Sequence, residues 1–130
     1  MEMIAVKTNK RNQFVDITDK VQSCVTGAGF KDGIVCVFVP HTTAGVTINE
    51  NADPDVVFDV LNALEKTYPE HAGYRHMEGN SDSHVKSSLI APSLTVIVED
   101  GLLKLGTWQS IYFTEFDGPR NRQFWVKMIG

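Results

Sequence analysis

The sequence predicts a single α+β domain that is built largely on antiparallel β-sheet. β-Branched and aromatic residues form about seven strand-like runs, most of which follow one another directly along the chain. Two or three segments place apolar residues at helical spacing instead, and a regular alternation of strand and helix is absent. With 130 residues, of which 42% are hydrophobic, the chain suits one domain spanning residues 1–130 with its own core.

The first elements predicted are a hairpin and a helix. Residues 2–8 and 13–17 are rich in β-branched and aromatic side chains, and the polar stretch between them predicts a turn. Thr18 is expected to cap a helix with apolar residues at helical spacing, which ends at Gly27 and Gly29.

Two strands and a longer helix are predicted next. Residues 34–39 are continuously apolar, which predicts a strand buried on both faces, and residues 45–49 predict a second strand. Asp53 followed by Pro54 is a strong start signal for a helix, because it combines a capping carboxylate with proline at the first helical position. Pro69 is expected to end that helix.

The second half is predicted to contain a polar loop, one short helix and three strands. The loop covers residues 70–83, and Ser81 or Asp82 is expected to cap the short helix. The helix and the strands are expected at residues 84–89, 94–98, 107–116 and 123–128.

Charge and composition predict a cytoplasmic protein without a nucleic-acid or membrane partner. The formal charge is −4 with no basic stripe, whereas nucleic-acid binders neutralise phosphates with lysine and arginine. No apolar run approaches the ~20 residues that span a bilayer, and the first residues do not resemble a signal peptide. Cys24 and Cys36 lie in apolar patterns and are interpreted as reduced core residues, with a disulfide or a cysteine ligand as the alternative.

Three histidines are the first candidates for a functional site. His41 follows an apolar run, and His76 and His84 flank a polar loop. Imidazole is the commonest metal ligand, so one interpretation is a three-histidine metal site with an open position. The alternative is that each ring is solvated, and His71 is interpreted in that way.

An acid and an arginine near the end of a strand are the second candidates. Glu115 interrupts an apolar alternation, and Arg120 follows after an Asp-Gly-Pro turn. They could act as general base and anion clamp in the histidine cleft, or form a plain surface salt bridge. Lys86 and Ser88 lie near the predicted start of the short helix, where backbone amides favour anions. The alternative there is a solvated helix.

Several stretches together resemble the YjbQ-like family, whose members are often described as secondary thiamine-phosphate synthases. The resembling segments are His41–Ala44, Ile48–Asn51 with Asp53-Pro54, His76–Gly79, His84–Ser88, Ser93–Gly101, Gly106–Ile111 and Glu115–Arg120. The resemblance implies a small α+β fold that assembles as a homotrimer. It also implies that His41, His76 and His84 hold a divalent metal, expected to be zinc.

The activity implied by the resemblance joins a pyrimidine diphosphate to a thiazole phosphate to give thiamine phosphate. A small phosphorylated metabolite is therefore the expected partner. Glu115 is the expected catalytic residue, and the expected anion-binding residues are Asn49, Lys86, Ser88 and Arg120. Histidine ligands suit magnesium poorly, so two alternatives stay open: a zinc-dependent hydrolase or lyase of a small phosphorylated metabolite, and a non-catalytic metal- or metabolite-binding trimer.

Aromatic residues near the end of the chain also favour an oligomer. They crowd the last two predicted strands and are Trp108, Tyr112, Phe113, Phe124 and Trp125. A core of this size need not cover both faces of those strands, so a bare aromatic face is expected to be a subunit contact.

Overall fold

The structure, a computed structural model, describes residues 1–130 and contains eight strands and three helices. In chain order these are β1 (Glu2–Lys7), β2 (Gln13–Asp16), α1 (Thr18–Gly27), β3 (Gly33–Phe38), β4 (Ala44–Glu50), α2 (Pro54–Thr67), α3 (Ser81–Ile90), β5 (Ser93–Glu99), β6 (Leu102–Leu103), β7 (Gln109–Glu115) and β8 (Asn121–Ile129). The predicted α+β class is confirmed, and every predicted element is present, most of them with shifted ends.

The strands form two antiparallel sheets. The larger sheet has the order β1-β8-β3-β5-β6, and the smaller has the order β2-β7-β4. A core of 16 buried apolar residues draws on both sheets and on α1, with Val37, Phe113 and Phe124 among those that are fully buried. Strand β7 is central in the small sheet and is buried from Ser110 to Glu115.

The predicted opening hairpin is wrong. Strand β1 pairs with β8, whereas β2 pairs with β7 in the other sheet. The polar stretch between them is therefore a crossover between sheets and not a hairpin turn. Thr8 fixes the start of this crossover, because its backbone N–H donates to the Arg120 carbonyl at 3.0 Å.

Three crossovers between the two sheets meet at one end of the molecule. They are residues 8–12 between β1 and β2, residues 39–43 between β3 and β4, and residues 116–120 between β7 and β8. Backbone hydrogen bonds tie the third crossover to the other two, since Phe116 donates to the Thr43 carbonyl and Gly118 donates to the Arg11 carbonyl. A Cβ at Gly118 would clash with the Lys10 carbonyl, so only glycine fits where these segments cross.

Helix α2 begins as the sequence predicts. The Asp53 side chain accepts the backbone N–H of Asp55 at 2.9 Å, and Pro54 occupies the first helical position. The helix is amphipathic, yet none of its residues is fully buried. Phe58 on this helix is 62% exposed.

Helix α3 begins earlier than predicted, and its first turn is held by charges rather than by a side-chain cap. Asn80 precedes the helix and makes no side-chain cap hydrogen bond. The Asp82 carboxylate is fully buried and binds Arg11 with two bonds of 3.0 Å and Lys86 with one of 2.8 Å. The predicted cap at Ser81 or Asp82 is therefore wrong, and Asp82 instead links α3 to the first crossover.

Strand β3 is buried on one face only, which corrects the prediction of two buried faces. Val35 and Val37 point into the core, whereas Ile34 and Phe38 are more than one-third exposed. Cys24 and Cys36 are both free thiols, as expected, and burial raises the pKa of Cys24 to about 12. None of the three helices has the length and apolarity to cross a membrane.

Candidate functional site

A polar cleft of about 370 Å³ opens where the three crossovers meet. Two of its walls are the second and third crossovers, and the start of α3 with the loop before it forms another. No hydrophobic residue lines it; its lining is Pro40, His41, Thr42, Thr43, Glu78, Asn80, His84, Asp117, Arg120 and Arg122. This composition suits a polar ligand that is fixed by hydrogen bonds and charge.

Glu115 lies behind the cleft wall and pairs with Arg122. The carboxylate is fully buried, and it accepts from Arg122 Nε at 2.9 Å, from Arg122 Nη2 and from the Thr8 hydroxyl at 2.7 Å. The backbone N–H groups of Phe116 and Asp117 add two bonds of 3.1 Å. Burial alone would raise the pKa of Glu115, but the bonds from Arg122 and Thr8 outweigh it and hold the pKa below its usual value.

This geometry corrects two expectations about Glu115. Its carboxylate does not line the cleft, and its arginine partner is Arg122 instead of Arg120. Five donors already occupy the two oxygens, so the side chain is built to hold its neighbours in place. The role of Glu115 in turnover stays a prediction.

Arg122 is the group through which this buried network reaches the cleft. Its side chain is 6% exposed, and Nη2 also donates to the Thr43 hydroxyl at 2.8 Å. The Nη1 atom has no acceptor in the chain and is not among the buried unsatisfied atoms. One face of a guanidinium held in a fixed orientation is therefore free for a ligand.

His41 is held by the backbone of strand β8 at Gln123. Phe38 pairs with Trp125, so two residues further along the same register Pro40 lies opposite Gln123. Proline has no backbone N–H to donate to β8 there. The ring of His41 takes that place, with Nε2 3.1 Å from both the N and the O of Gln123. Burial lowers the pKa of His41, and the nearby Arg122 charge lowers it further, so the imidazole is neutral at pH 7 with Nδ1 unbound.

His76 and His84 are neighbours on the other side of the cleft. Their ring centroids lie 5.5 Å apart in an edge-to-face arrangement. His84 lines the cleft together with His41, whereas His76 contacts Ser81 through Nδ1 at 3.0 Å and lines an adjacent cavity in the loop before α3. The structure thus brings His41 and His84 to one cleft, whereas His76 contacts His84 but does not line that cleft.

The predicted three-histidine metal set is not assembled by the side chains of this chain. No group of three His, Cys, Asp and Glu side chains is arranged to hold a metal ion. His41 uses Nε2 on the Gln123 backbone, and His76 uses Nδ1 on Ser81. Metal binding by these histidines stays a prediction.

Arg120 lines the cleft, as predicted, but with a different partner. Its Nη2 donates to Asp117 Oδ2 at 2.9 Å, and its Nε donates to the Asp117 carbonyl at 2.7 Å. Asn80 donates to the same carboxylate oxygen at 2.9 Å. The side chain of Arg120 is 52% exposed, so it has more freedom than Arg122.

The remaining predicted anion-binding residues lie outside the cleft. Lys86 is 1% exposed, and its ammonium group binds Asp82 at 2.8 Å and Glu65 at 2.7 Å. Ser88 donates to the His84 carbonyl one helical turn back. Asn49 lies near the far end of β4, ~20 Å along the strand from Thr43. The part of these three residues in anion binding stays a prediction.

Sequence reasoning missed the two residues that connect the cleft to the buried network, Arg122 and Thr43. A usable signal was present, because Arg122 is a charge in an apolar alternation just as Glu115 is. Two opposite charges that interrupt consecutive apolar strands of the chain predict a buried ion pair. Arg120 lies in the turn between these strands and gives no such signal. Thr43 gives no such signal, since its role depends on the meeting of the crossovers.

The fold and the cleft define a small two-sheet α+β protein with a histidine- and arginine-lined cleft at its sheet crossovers. The chain belongs to the UPF0047 protein YjbQ-like family, whose model matches residues 2–130. Among its relatives, a UPF0047 protein of Methanocaldococcus jannaschii is 55% identical over 96% of this chain and 91% of the relative. The UPF0047 protein YugU of Bacillus subtilis is 51% identical over 100% of this chain and 99% of the relative.

Solved structures of the same family agree with the fold. An uncharacterized YjbQ/UPF0047 family protein from Clostridium acetobutylicum has a TM-score of 0.98 and 54% identity, over 99% of this chain and 100% of that one. A conserved hypothetical protein from Thermus thermophilus has a TM-score of 0.93 and 43% identity, over 99% and 100%. These relatives are described without an activity, so family membership identifies no reaction.

Proposed function

We propose that the crossover cleft is the active site of an enzyme that acts on a small phosphorylated metabolite. The observation that carries this proposal is the pairing of a neutral histidine, His41, with a fixed guanidinium, Arg122, in one cleft without apolar lining. A neutral imidazole can accept or donate a proton, and a fixed guanidinium suits a phosphate oxygen. The cleft volume is within the range of small-molecule sites.

Thiamine-phosphate formation is the first reaction to test, because it is the activity that the resemblance to the YjbQ-like family implies. Its substrates carry a diphosphate and a phosphate, and the cleft offers Arg120 and Arg122 to such groups. Each arginine already faces one carboxylate, Asp117 or Glu115, and Glu78 adds a further negative charge. This charge balance favours a single phosphoryl group over a diphosphate, so hydrolysis or elimination at a phosphomonoester is the second candidate.

Zinc binding through His41, His76 and His84 is part of the proposal as the resemblance implies it. Support within the chain is limited to the adjacent rings of His76 and His84 and the unbound Nδ1 of His41. Metal analysis of protein purified without chelator tests this, and His84→Ala is expected to abolish the metal content.

A homotrimer is proposed as the assembly. Apolar residues on the outer face of the large sheet support it, because Ile34 faces Ile97 on one side and Ile129 on the other. Exposure of these three residues ranges from 37% to 62%. A bare apolar sheet face of this kind is typical of a subunit contact.

A screen of phosphorylated metabolites for thermal stabilisation tests the proposed function, followed by a turnover assay on each compound that stabilises. The pyrimidine diphosphate and the thiazole phosphate belong in the screen, singly and together. We expect at least one phosphomonoester to raise the Tm and to be converted, with His41→Gln slowing conversion ~100-fold or more. Stabilisation without conversion, equal in wild type and His41→Gln, would favour the non-catalytic metabolite-binding trimer.

A further inference from the structure

The crossover between β3 and β4 contains three consecutive backbone N–H groups that have no acceptor in the chain. They belong to His41, Thr42 and Thr43, and neither a backbone nor a side-chain oxygen accepts from any of them. All three residues line the cleft. Thr43 is buried and His41 is half-buried, whereas Thr42 is exposed, so the acceptor for these donors comes from outside the chain, as water or as a ligand in the cleft.

The segment that carries these amides is rigidly held. The Ser87 hydroxyl of α3 donates to the Thr42 carbonyl at 2.6 Å. The Thr43 carbonyl accepts from the Phe116 backbone at 3.2 Å, and the Thr43 hydroxyl accepts from Arg122. The carbonyls of Thr42 and Thr43 thus have protein donors, whereas the amides of residues 41–43 have no protein acceptor.

Arg122 adds a fourth free donor next to the same segment. Its Nε and Nη2 are used by Glu115 and Thr43, which leaves Nη1 for the cleft. Glu115 cancels the charge of the guanidinium but not its capacity to donate. A row of backbone amides beside an arginine is an arrangement that receives a tetrahedral oxyanion.

We propose that the amides of residues 41–43 and Nη1 of Arg122 together form an oxyanion-binding site that receives the phosphoryl group of the ligand. This inference rests on the proposed function and assigns the binding of the anion to groups other than Arg120, Lys86, Ser88 and Asn49. Because most of the donors are neutral and the arginine is already paired, the site takes one phosphoryl group and gains little from a second negative charge.

Titration of the ¹⁵N-labelled protein with inorganic phosphate tests the proposal directly, with chemical shifts as the readout. The backbone amides of His41, Thr42 and Thr43 and the guanidinium signal of Arg122 should shift together along one saturation curve. Pyrophosphate is expected to bind no more than threefold more tightly than phosphate, and acetate at least tenfold more weakly. Shifts centred on Arg120 or outside the cleft, or no saturation by phosphate at all, would overturn the proposal.

Variants separate the donors from one another. Arg122→Lys should weaken phosphate binding at least tenfold, since an ammonium does not reproduce the fork that Glu115 and Thr43 hold. Arg75→Lys, an exposed arginine outside the cleft, is the matched control and should change nothing.

The two proposals fail in different ways. If Arg122→Lys does not fold, the titration of the wild type still decides the question. If phosphate binds as described but no metabolite in the screen is converted, the anion site stands and the enzymatic function is wrong. If a metabolite is converted while the amides of residues 41–43 stay unperturbed by phosphate, the anion site is wrong and the enzymatic function stands.

Discussion

Glu115 and Arg122 show how a buried pair can position a functional group at the scale of single residues. Neither charge would be stable in the core alone, and the five donors to Glu115 offset the loss of water. The sequence predicted that Glu115 needs a guanidinium nearby, because an acid in an aromatic strand cannot remain unpaired. It could not identify Arg122, since the choice depends on how β7 and β8 leave their two sheets.

Removing the Glu115 charge is expected to destabilise the protein and to make its free energy of unfolding less dependent on pH in the acid range. Glu115→Gln leaves the Arg122 charge buried without a partner, which costs about 3–5 kcal/mol of unfolding free energy. Because the folded pKa of Glu115 lies below its usual value of 4.5, the unfolded chain binds the proton more readily. The stabilisation by Glu115 is therefore complete above that value and is lost as the pH falls through the folded pKa.

Urea unfolding from pH 6 to pH 3 measures both effects. The wild type should lose stability over the acid part of this range, and the variant should lose less. Glu99→Gln is the control, because Glu99 is exposed and forms one loose surface ion pair, 3.7 Å from Lys104, that contributes little to stability. Equal pH profiles for Glu115→Gln and wild type would contradict the lowered pKa.

Ala91 is a second residue with a testable local property. It joins α3 to β5 with φ 129° and ψ 149°, a backbone region that glycine occupies almost alone. Ala91→Gly should raise the unfolding free energy by ~1 kcal/mol, since the relief of strain exceeds the added freedom of the unfolded chain. Ala28→Gly, at φ −83°, is the control and should not stabilise in thermal unfolding.

At the scale of elements, the sequence predicted where strands and helices lie better than how they pair. Apolar alternation identifies β7 and β8, and the Asp53-Pro54 signal places the start of α2 correctly. Pairing was wrong at β1 and β2, because a polar connection of this length serves equally as a hairpin turn or as a crossover between sheets. The crossovers, and the cleft that they form, follow from sheet topology, which no local pattern encodes.

Helix α3 depends on the Asp82 carboxylate for its position. Arg11 and Lys86 both bind this carboxylate. Burial would raise the pKa of Asp82, but the hydrogen bonds from these two cations outweigh burial and lower it. Asp82→Asn should therefore cost about 3–5 kcal/mol, because Lys86 remains buried with Glu65 alone. Urea unfolding checks this, with Asp59→Asn on the exposed face of α2 as a control that should change the stability by less than ~0.5 kcal/mol.

For the whole molecule, the outer face of the large sheet is the feature that a single chain leaves unexplained. The prediction of a bare aromatic face was partly wrong, because Tyr112, Phe113 and Phe124 are buried. Trp125 does lie on the outer face, where it stacks on Phe38 with ring centroids 5.6 Å apart. Sequence alone could not separate the inner from the outer side of β3, since both carry apolar residues: Val35 and Val37 inside, and Ile34, Cys36 and Phe38 outside.

A charge on that face is expected to break the proposed trimer. Ile97 is 62% exposed beside Ile34 in the apolar row, so Ile97→Lys would bury an unpaired ammonium in the contact. Light scattering coupled to size exclusion should give a trimer for the wild type and a monomer for the variant. Leu89→Lys, at a residue on α3 that is 58% exposed, is the control; a wild type that is monomeric at micromolar concentration refutes the assembly.

A crystal structure of the protein with a phosphomonoester from the screen tests the central claim, that the crossover cleft is the functional site. We expect the phosphoryl group between the backbone of residues 41–43 and Arg122, with the rest of the ligand extending toward His84. The molecule offers a clear competitor, the cavity of about 330 Å³ in the loop before α3, lined by Glu70, His71, Tyr74 and His76 among others. A ligand ordered in that cavity, with the crossover cleft holding none of it, would contradict the claim.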